Sequence, residues 1–549
     1  MSRGERLALL AIAALTLWLR WWPDGSAIAG RAFLRHDEQH YVDLARELLN
    51  GRFDTRYFIN PTLFGYLLAG ASALVGGVRV LLGDDPSFAH FVARETMSPW
   101  LIVLTGRLLS IAASVATVLL LARLGRRLFS PAVGLAAALL LALDGLAIGR
   151  APLCGNESLT TLLALLAIDG VAGRDAATLS RGRRFRAGVL LGLATATKYS
   201  AGIFGLVLLV ALRRRVVPAL LGAALGYAIG APATLLSFEQ FRAGFATQAA
   251  FLHDGYRPED AQAAASGWLV YARDFPTAHG GVVLALVVAL GLVASLAAAL
   301  RRDGGPHRLL LAASLPLYLF LGSGIFHRDR FLLPATPYLL LHGAWLLVAT
   351  CGALARERAR LVTFAPLVLI AAAGAPSVVA QRPLLAALHG KPDAASDLFA
   401  EVHAVLRPDD RLFEFTLQLS DELLIDAQPW RELRLAEPAA ALRAAVEGDL
   451  AQRGLLPGGE PLRPWFTSAR SLAELQAELA RSGATALVVV LAARHLGEPD
   501  GLRRANRDPP FRDCPWWGDF ATWLGTLPRR LATVSRDGAL IAAVVELPR

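Results

Sequence analysis

Apolar runs of about twenty residues recur along the first 380 positions and then stop. A helix of that length covers the ~30 Å hydrocarbon thickness of a bilayer. The runs predict eleven spans, at 5–21, 100–122, 131–148, 158–172, 186–197, 199–212, 216–236, 279–300, 308–325, 331–350 and 361–380. Two of them, 186–197 and 199–212, are too short to cross straight and predict a tight hairpin, which is tolerated where it lines a cavity. Beyond residue 382 the pattern turns polar, with strand-like runs at Arg411–Phe415, Ala486–Val490 and Ala539–Leu547 and a helical one at Leu472–Ala480. The expected fold is an all-α polytopic membrane domain over 1–381, followed by a soluble α/β domain over 382–549 that is long enough to bury its own core.

The segment 61–82 is also apolar enough to span, and arginine placement decides against it. With 61–82 lying on the surface or re-entering, nineteen Arg fall in short segments on one side, from Arg3 and Arg6 to Arg356, Arg358 and Arg360. The opposite short loops carry only Arg150, Lys198, Arg328 and Arg330. The positive-inside rule puts the nineteen in the cytoplasm. A spanning 61–82 would reverse the bias from residue 83 onward, so a surface helix opened by Pro61 is expected. Residues 41–49 read as a second surface helix, with Tyr41, Leu44, Ala45 and Leu48 on one face and Asp43, Arg46, Glu47 and Asn50 on the other. The first outer loop, 22–99, is therefore long and hugs the membrane. An odd number of spans puts the C-terminal domain outside.

Composition adds exclusions. The chain is 55% hydrophobic with a net charge of +10, but its arginines cluster between apolar runs, where orientation signals belong, so nucleic-acid binding is not expected. Cys154, Cys351 and Cys514 make neither a disulfide framework nor a metal site. Ala27-Ile28-Ala29 resembles a signal-peptidase site, yet Arg20-Trp21-Trp22-Pro23 suits an interfacial anchor, and an uncleaved first span is expected.

Topology gathers the ionisable residues near span ends onto the outer face. They are Asp37 and Glu38 in the first loop, Arg107 in the second span, Glu157 opening the fourth, Lys198 at the hairpin tip, His253 and Asp254 in loop 237–278, and Arg328, Asp329 and Arg330 before the tenth. Charges at membrane depth are costly and mark sites. Each has a plainer reading: anchors for Arg107, Arg328 and Arg330, a helix cap for Glu157, solvated loop residues for His253, Asp254 and the acid pair. Lys198 stands out because the chain otherwise uses Arg; its only other Lys is Lys391. His36 and His40 are spaced as in a zinc-protease helix, but Asp37 stands where that motif needs Glu, and a third ligand is not evident.

His36-Asp37-Glu38-Gln39-His40-Tyr41, a short helix, then Ile59-Asn60-Pro61-Thr62-Leu63 resemble the first outer loop of the GT-C glycosyltransferases. The likeness is to protein O-mannosyltransferases of glycosyltransferase family 39 and to lipid A aminoarabinose transferases. Gly106-Arg107-Leu108, Leu124-Gly125-Arg126-Arg127-Leu128-Phe129, Gly192-Leu193-Ala194 with Lys198-Tyr199-Ser200, and Arg330-Phe331-Leu332-Leu333-Pro334 follow in family order over residues 1–350. The chain departs from the relatives at Asn60, where they often carry His or Lys, and at Glu157, where the acid is often Asp. The resemblance implies an inverting transferase in the cell (inner) membrane, acting on its extracytoplasmic face. It implies a polyprenyl- or dolichyl-phosphate sugar as donor, and a protein, lipid or cell-wall glycan as acceptor. Asp37 and Glu38 match the catalytic acids; Arg107, Glu157, Lys198 and Arg330 fall to the lipid phosphate and substrate. No cofactor is required, although an acid cluster could hold a divalent metal. A lipid transporter or flippase without chemistry is the rival; it predicts paired repeats with midplane charges, and no repeat is visible.

Overall fold

The computed structural model describes residues 2–21, 36–51, 58, 60–97, 99–254, 266–355, 366–367, 370, 405, 412–416, 471–482, 485–492, 517–534 and 540–547. Two compact units emerge, one of Met1–Ala29, Tyr41–Ser72 and Ile102–Leu385, the other of Gly30–His40, Ala73–Leu101 and Ala386–Arg549.

The first unit is helical. Among the described residues four helices are long and apolar enough to cross a membrane: Leu63–Leu82, Trp100–Leu128, Val282–Ala299 and Thr336–Leu354. Shorter apolar helices run over Pro131–Ala142 and Val217–Gly230. Several expected spans are interrupted: 216–236 breaks at Pro232, between helices Val217–Gly230 and Ala233–Leu236, and two others break at charged residues. The expected span 131–148 is two helices, Pro131–Ala142 and Gly145–Arg150, because buried Asp144 caps the second by accepting the Ala147 N–H at 2.8 Å. The carbonyls exposed by the break are met by Arg20 of helix Arg3–Trp21, which donates to Ala142 and Leu141, each at 3.2 Å, and through Nε to Ser114 Oγ at 2.7 Å. At depth, such carbonyls need a partner because water is not there to serve them. The expected span 186–197 is the end of a longer helix, Arg181–Thr197, whose first turns carry Arg181, Arg183, Arg184 and Arg186. Hydropathy alone hid these turns. The helix stops at Lys198, which is extended (φ −154°, ψ 124°), and a 3₁₀ turn Tyr199–Phe204 leads into helix Gly205–Leu212. Span 361–380 lies largely outside the described residues.

Helices Arg181–Thr197 and Val217–Gly230 pack backbone to backbone. A Cβ on Gly188, Gly192, Gly222 or Gly226 would run into the carbonyl oxygen of Ala219, Ala223, Phe185 or Val189 respectively. Small residues at four-residue spacing allow this approach where apolar burial gives little drive. A buried polar chain joins three other helices: Ser295 Oγ lies 3.2 Å from His307 Nδ1 and 2.7 Å from His342 Nδ1, and Ser314 Oγ lies 3.1 Å from His342 Nε2. The loop 237–278 holds two helices that the hydropathy pattern did not predict, Phe238–Asp254 and Gly267–His279.

In the second unit, Asp85 is buried between Arg79 Nε at 2.7 Å and His90 Nδ1 at 3.2 Å. Four strands form one sheet in the order β1-β2-β4-β3, from Leu412–Thr416, Ala486–Ala492, Arg529–Val534 and Leu540–Glu546 taken in chain order. β1 runs parallel to β2, and β4 pairs antiparallel with both β2 and β3. Three of these strands follow the expected runs within a residue or two. β3, which opens on Arg529-Arg530, was not expected.

Candidate functional site

The loop 151–156 turns the chain back so that Glu157 opens helix Glu157–Val171. Asn156 does not cap that helix with its side chain; its Nδ2 instead donates to the Thr197 carbonyl at 2.7 Å, the last residue before Lys198. This bond brings two helix ends together. Lys198 Nζ lies 3.6 Å from Glu157 Oε1, and Arg330 Nε lies 4.0 Å from the same oxygen. Phe331 supports both cations, with Lys198 5.0 Å and Arg330 5.7 Å from its ring centroid. Three expected residues, far apart in sequence, therefore meet at one carboxylate that is only 15% exposed.

Arg107 is fully buried in helix Trp100–Leu128. Its neighbours place it beside the loop that leads to Glu157: Gly106 packs against Cys154, and Ser110 Oγ donates to the Gly155 carbonyl at 3.1 Å. Tyr199, next to Lys198, donates its hydroxyl to the Phe58 carbonyl at 2.9 Å and packs against Phe245. Thr62 donates to the Gly230 carbonyl at 3.4 Å. The end of the first loop is thereby tied to the hairpin tip.

The acid pair falls in helix His36–Leu49, which starts five residues before the amphipathic stretch read from the sequence. Glu38 is buried. The side chain of Asp37 lies outside the described residues, as do those of His253 and Asp254. Among the described residues no cluster of three or more His, Cys, Asp or Glu is placed to hold a metal. Sequence reasoning missed two contacts beside the site. Asp329 is not a bystander: it accepts the Arg330 N–H at 2.7 Å and lies 3.6 Å from Arg150. Asp144 pairs with His279 at 2.7 Å, both fully buried.

Residues 103–237 match the family described as dolichyl-phosphate-mannose-protein mannosyltransferase. That stretch carries Arg107, Glu157 and Lys198. The fold is similar to that of ArnT from Cupriavidus metallidurans, solved with undecaprenyl phosphate bound, at 15% identity and TM-score 0.54 over 100% of both chains. It is also similar to the oligosaccharyltransferase AglB from Archaeoglobus fulgidus, solved with an inhibitory peptide and a dolichol-phosphate, at 11% identity and TM-score 0.53. That match covers 98% of this chain and 74% of that one. No curated protein matches the sequence. The resemblance drawn from short motifs holds, and the chain has the GT-C fold of these membrane glycosyltransferases.

Proposed function

We propose that the chain is an inverting membrane glycosyltransferase that takes its sugar from a polyprenyl-phosphate donor. The observation that carries the reading is the meeting of Lys198 and Arg330 at Glu157, in a fold whose solved members include one bound to undecaprenyl phosphate. Departure of a lipid phosphate builds negative charge on its oxygens, and fixed cations in a poorly hydrated site stabilise that charge. Arg107, Lys198 and Arg330 supply those cations, and Glu157 holds the last two together. Asp37 takes the proton of the acceptor hydroxyl as it attacks the anomeric carbon, and Glu38 positions the acceptor or orients Asp37. One displacement inverts the anomeric configuration.

The acid-bearing loop and residues 382–549 lie on the extracytoplasmic face of the inner membrane, as the arginine bias directs. The acceptor is a protein, lipid or glycan hydroxyl. No metal takes part in the reading. The test is to incubate the purified chain with a panel of polyprenyl-phosphate sugars and measure released lipid phosphate. Release with at least one donor supports the reading. Binding of every donor without release sinks it in favour of a transporter.

A further inference from the structure

Next to the turn that carries Arg330 lies a slot of about 40 Å³. One wall is a stripe of helix Gly267–His279 that includes Tyr271, Asp274, Phe275 and His279; the other includes His327 and Asp329. Residues four and eight apart share a helix face, so the stripe runs roughly 12 Å along the axis. The opposite wall is the 3₁₀ turn Asp329–Leu332. In such a turn residues three apart eclipse. Asp329 and Leu332 thus line the slot, while Arg330 reaches Glu157. The slot and the Glu157–Arg330 contact are two sides of one turn.

The lining is mixed: Val270, Phe275, Ala278 and Leu332 make it apolar over most of its area, and the polar minority is balanced in charge. Asp274 is paired with Arg273 at 2.7 Å, and Asp329 lies 3.6 Å from Arg150. Both carboxylates keep acceptor capacity without offering an uncompensated charge to a cation. At one end His279 is clamped: Asp144 Oδ2 lies 2.7 Å from its Nδ1, and Phe275 stacks on its ring at 4.1 Å. A carboxylate at Nδ1 puts a proton there. At the other end Tyr271 is buried, with its oxygen within reach of the Arg328 backbone, and its O–H finds no acceptor among the described residues. Burial pushes this phenol above its ordinary range, so it stays a donor. A buried O–H without an acceptor is costly unless something fills the place.

We propose that this slot binds the hydroxyl edge of a neutral polyol, a sugar ring of the acceptor. Hydroxyls both donate and accept, and a ring also has an apolar face, which matches carboxylate acceptors, imidazole nitrogens and a phenolic donor set among apolar side chains. The volume fits two or three hydroxyl groups in place of waters rather than a whole ring. The acceptor assignment rests on the transferase reading; the binding itself rests on the slot alone.

The test uses the full chain in lipid nanodiscs and saturation-transfer NMR with three probes: methyl glucoside, ethanolamine and a neutral Ser-containing tripeptide. Methyl glucoside should receive saturation, and Tyr271→Phe and His279→Gln should each weaken it roughly three- to tenfold, the worth of one hydrogen bond. Undecaprenyl-phosphate binding should not change. Tyr271→Phe removes one oxygen and keeps the ring, so it decides the matter even if His279→Gln fails to fold. Equal saturation of the glucoside in wild type and Tyr271→Phe overturns the proposal. So does stronger saturation of ethanolamine or of the peptide. Failure of the transferase reading would appear separately, as no lipid-phosphate release from any donor, and leaves the glucoside result intact.

Discussion

Replacing Lys198 with Met keeps the length of the side chain and removes its charge. At 3.6 Å from Glu157 Oε1, a unit charge pair at an effective dielectric near 20 is worth about 5 kcal/mol before desolvation is counted. A phosphate oxygen at a similar distance from the ammonium would feel a comparable attraction, growing as the leaving group gains charge. Part is lost to stripping water from both partners. Loss of one preorganised donor typically slows a reaction ~10²–10³-fold, about 3–4 kcal/mol, which is consistent with that reduction. Folding should suffer less, because Glu157 keeps Arg330 at 4.0 Å. The assay is single-turnover release of undecaprenyl phosphate, with the melting temperature measured alongside. The double variant Glu157→Gln/Lys198→Met separates structure from catalysis. If Lys198 only satisfies Glu157, removing both restores the rate; if it meets the phosphate, the double variant stays slow. A Lys198→Met rate within threefold of wild type, or a rescued double variant, refutes the reasoning.

Asp37→Asn keeps shape and loses basicity, so turnover should fall by ~10²–10⁴ while donor binding persists; a loss of only a few-fold removes Asp37 from the mechanism. Gly192→Leu drives a side chain toward the Ala223 carbonyl, and backbone cannot yield cheaply. A loss of about 3 kcal/mol, the upper end for overpacking, should appear as a lowered melting temperature, and an unshifted one would contradict the close approach. A cysteine at Asp84 should be labelled by an impermeant reagent from the extracytoplasmic side. Labelling only from the cytoplasm would mean that Leu63–Leu82 crosses the membrane.

The helices were legible where apolar runs have the length and period that hydrocarbon demands. Lys198 was legible because a single Lys in an Arg-rich membrane region is conspicuous. The break at Asp144 was not, since its stability depends on Arg20 and His279, 124 and 135 positions away. Hydropathy averages over one charged residue and cannot see partners at that range. The helix Phe238–Asp254 was overlooked although Phe238, Phe241 and Phe245 repeat at helical spacing, because a search for spans discards amphipathic segments. Topology gathered Glu157, Lys198 and Arg330 on one side, but their convergence on one carboxylate needed coordinates. It depends on Asn156 bonding across to Thr197 rather than capping its own helix.

The bond from Arg20 to the Ala142 carbonyl also has a timing. The two residues are 122 positions apart, and a ribosome adding 5–20 residues per second needs roughly 6 to 24 s to make that stretch. During that interval the arginine has no Ala142 to meet. Once Pro131–Ala142 is in place, the guanidinium supplies donors to its Leu141 and Ala142 carbonyls. The donor is thus made before the acceptors that it meets in the folded chain. Slowing translation between them should be harmless, whereas supplying the two segments in reverse order should not.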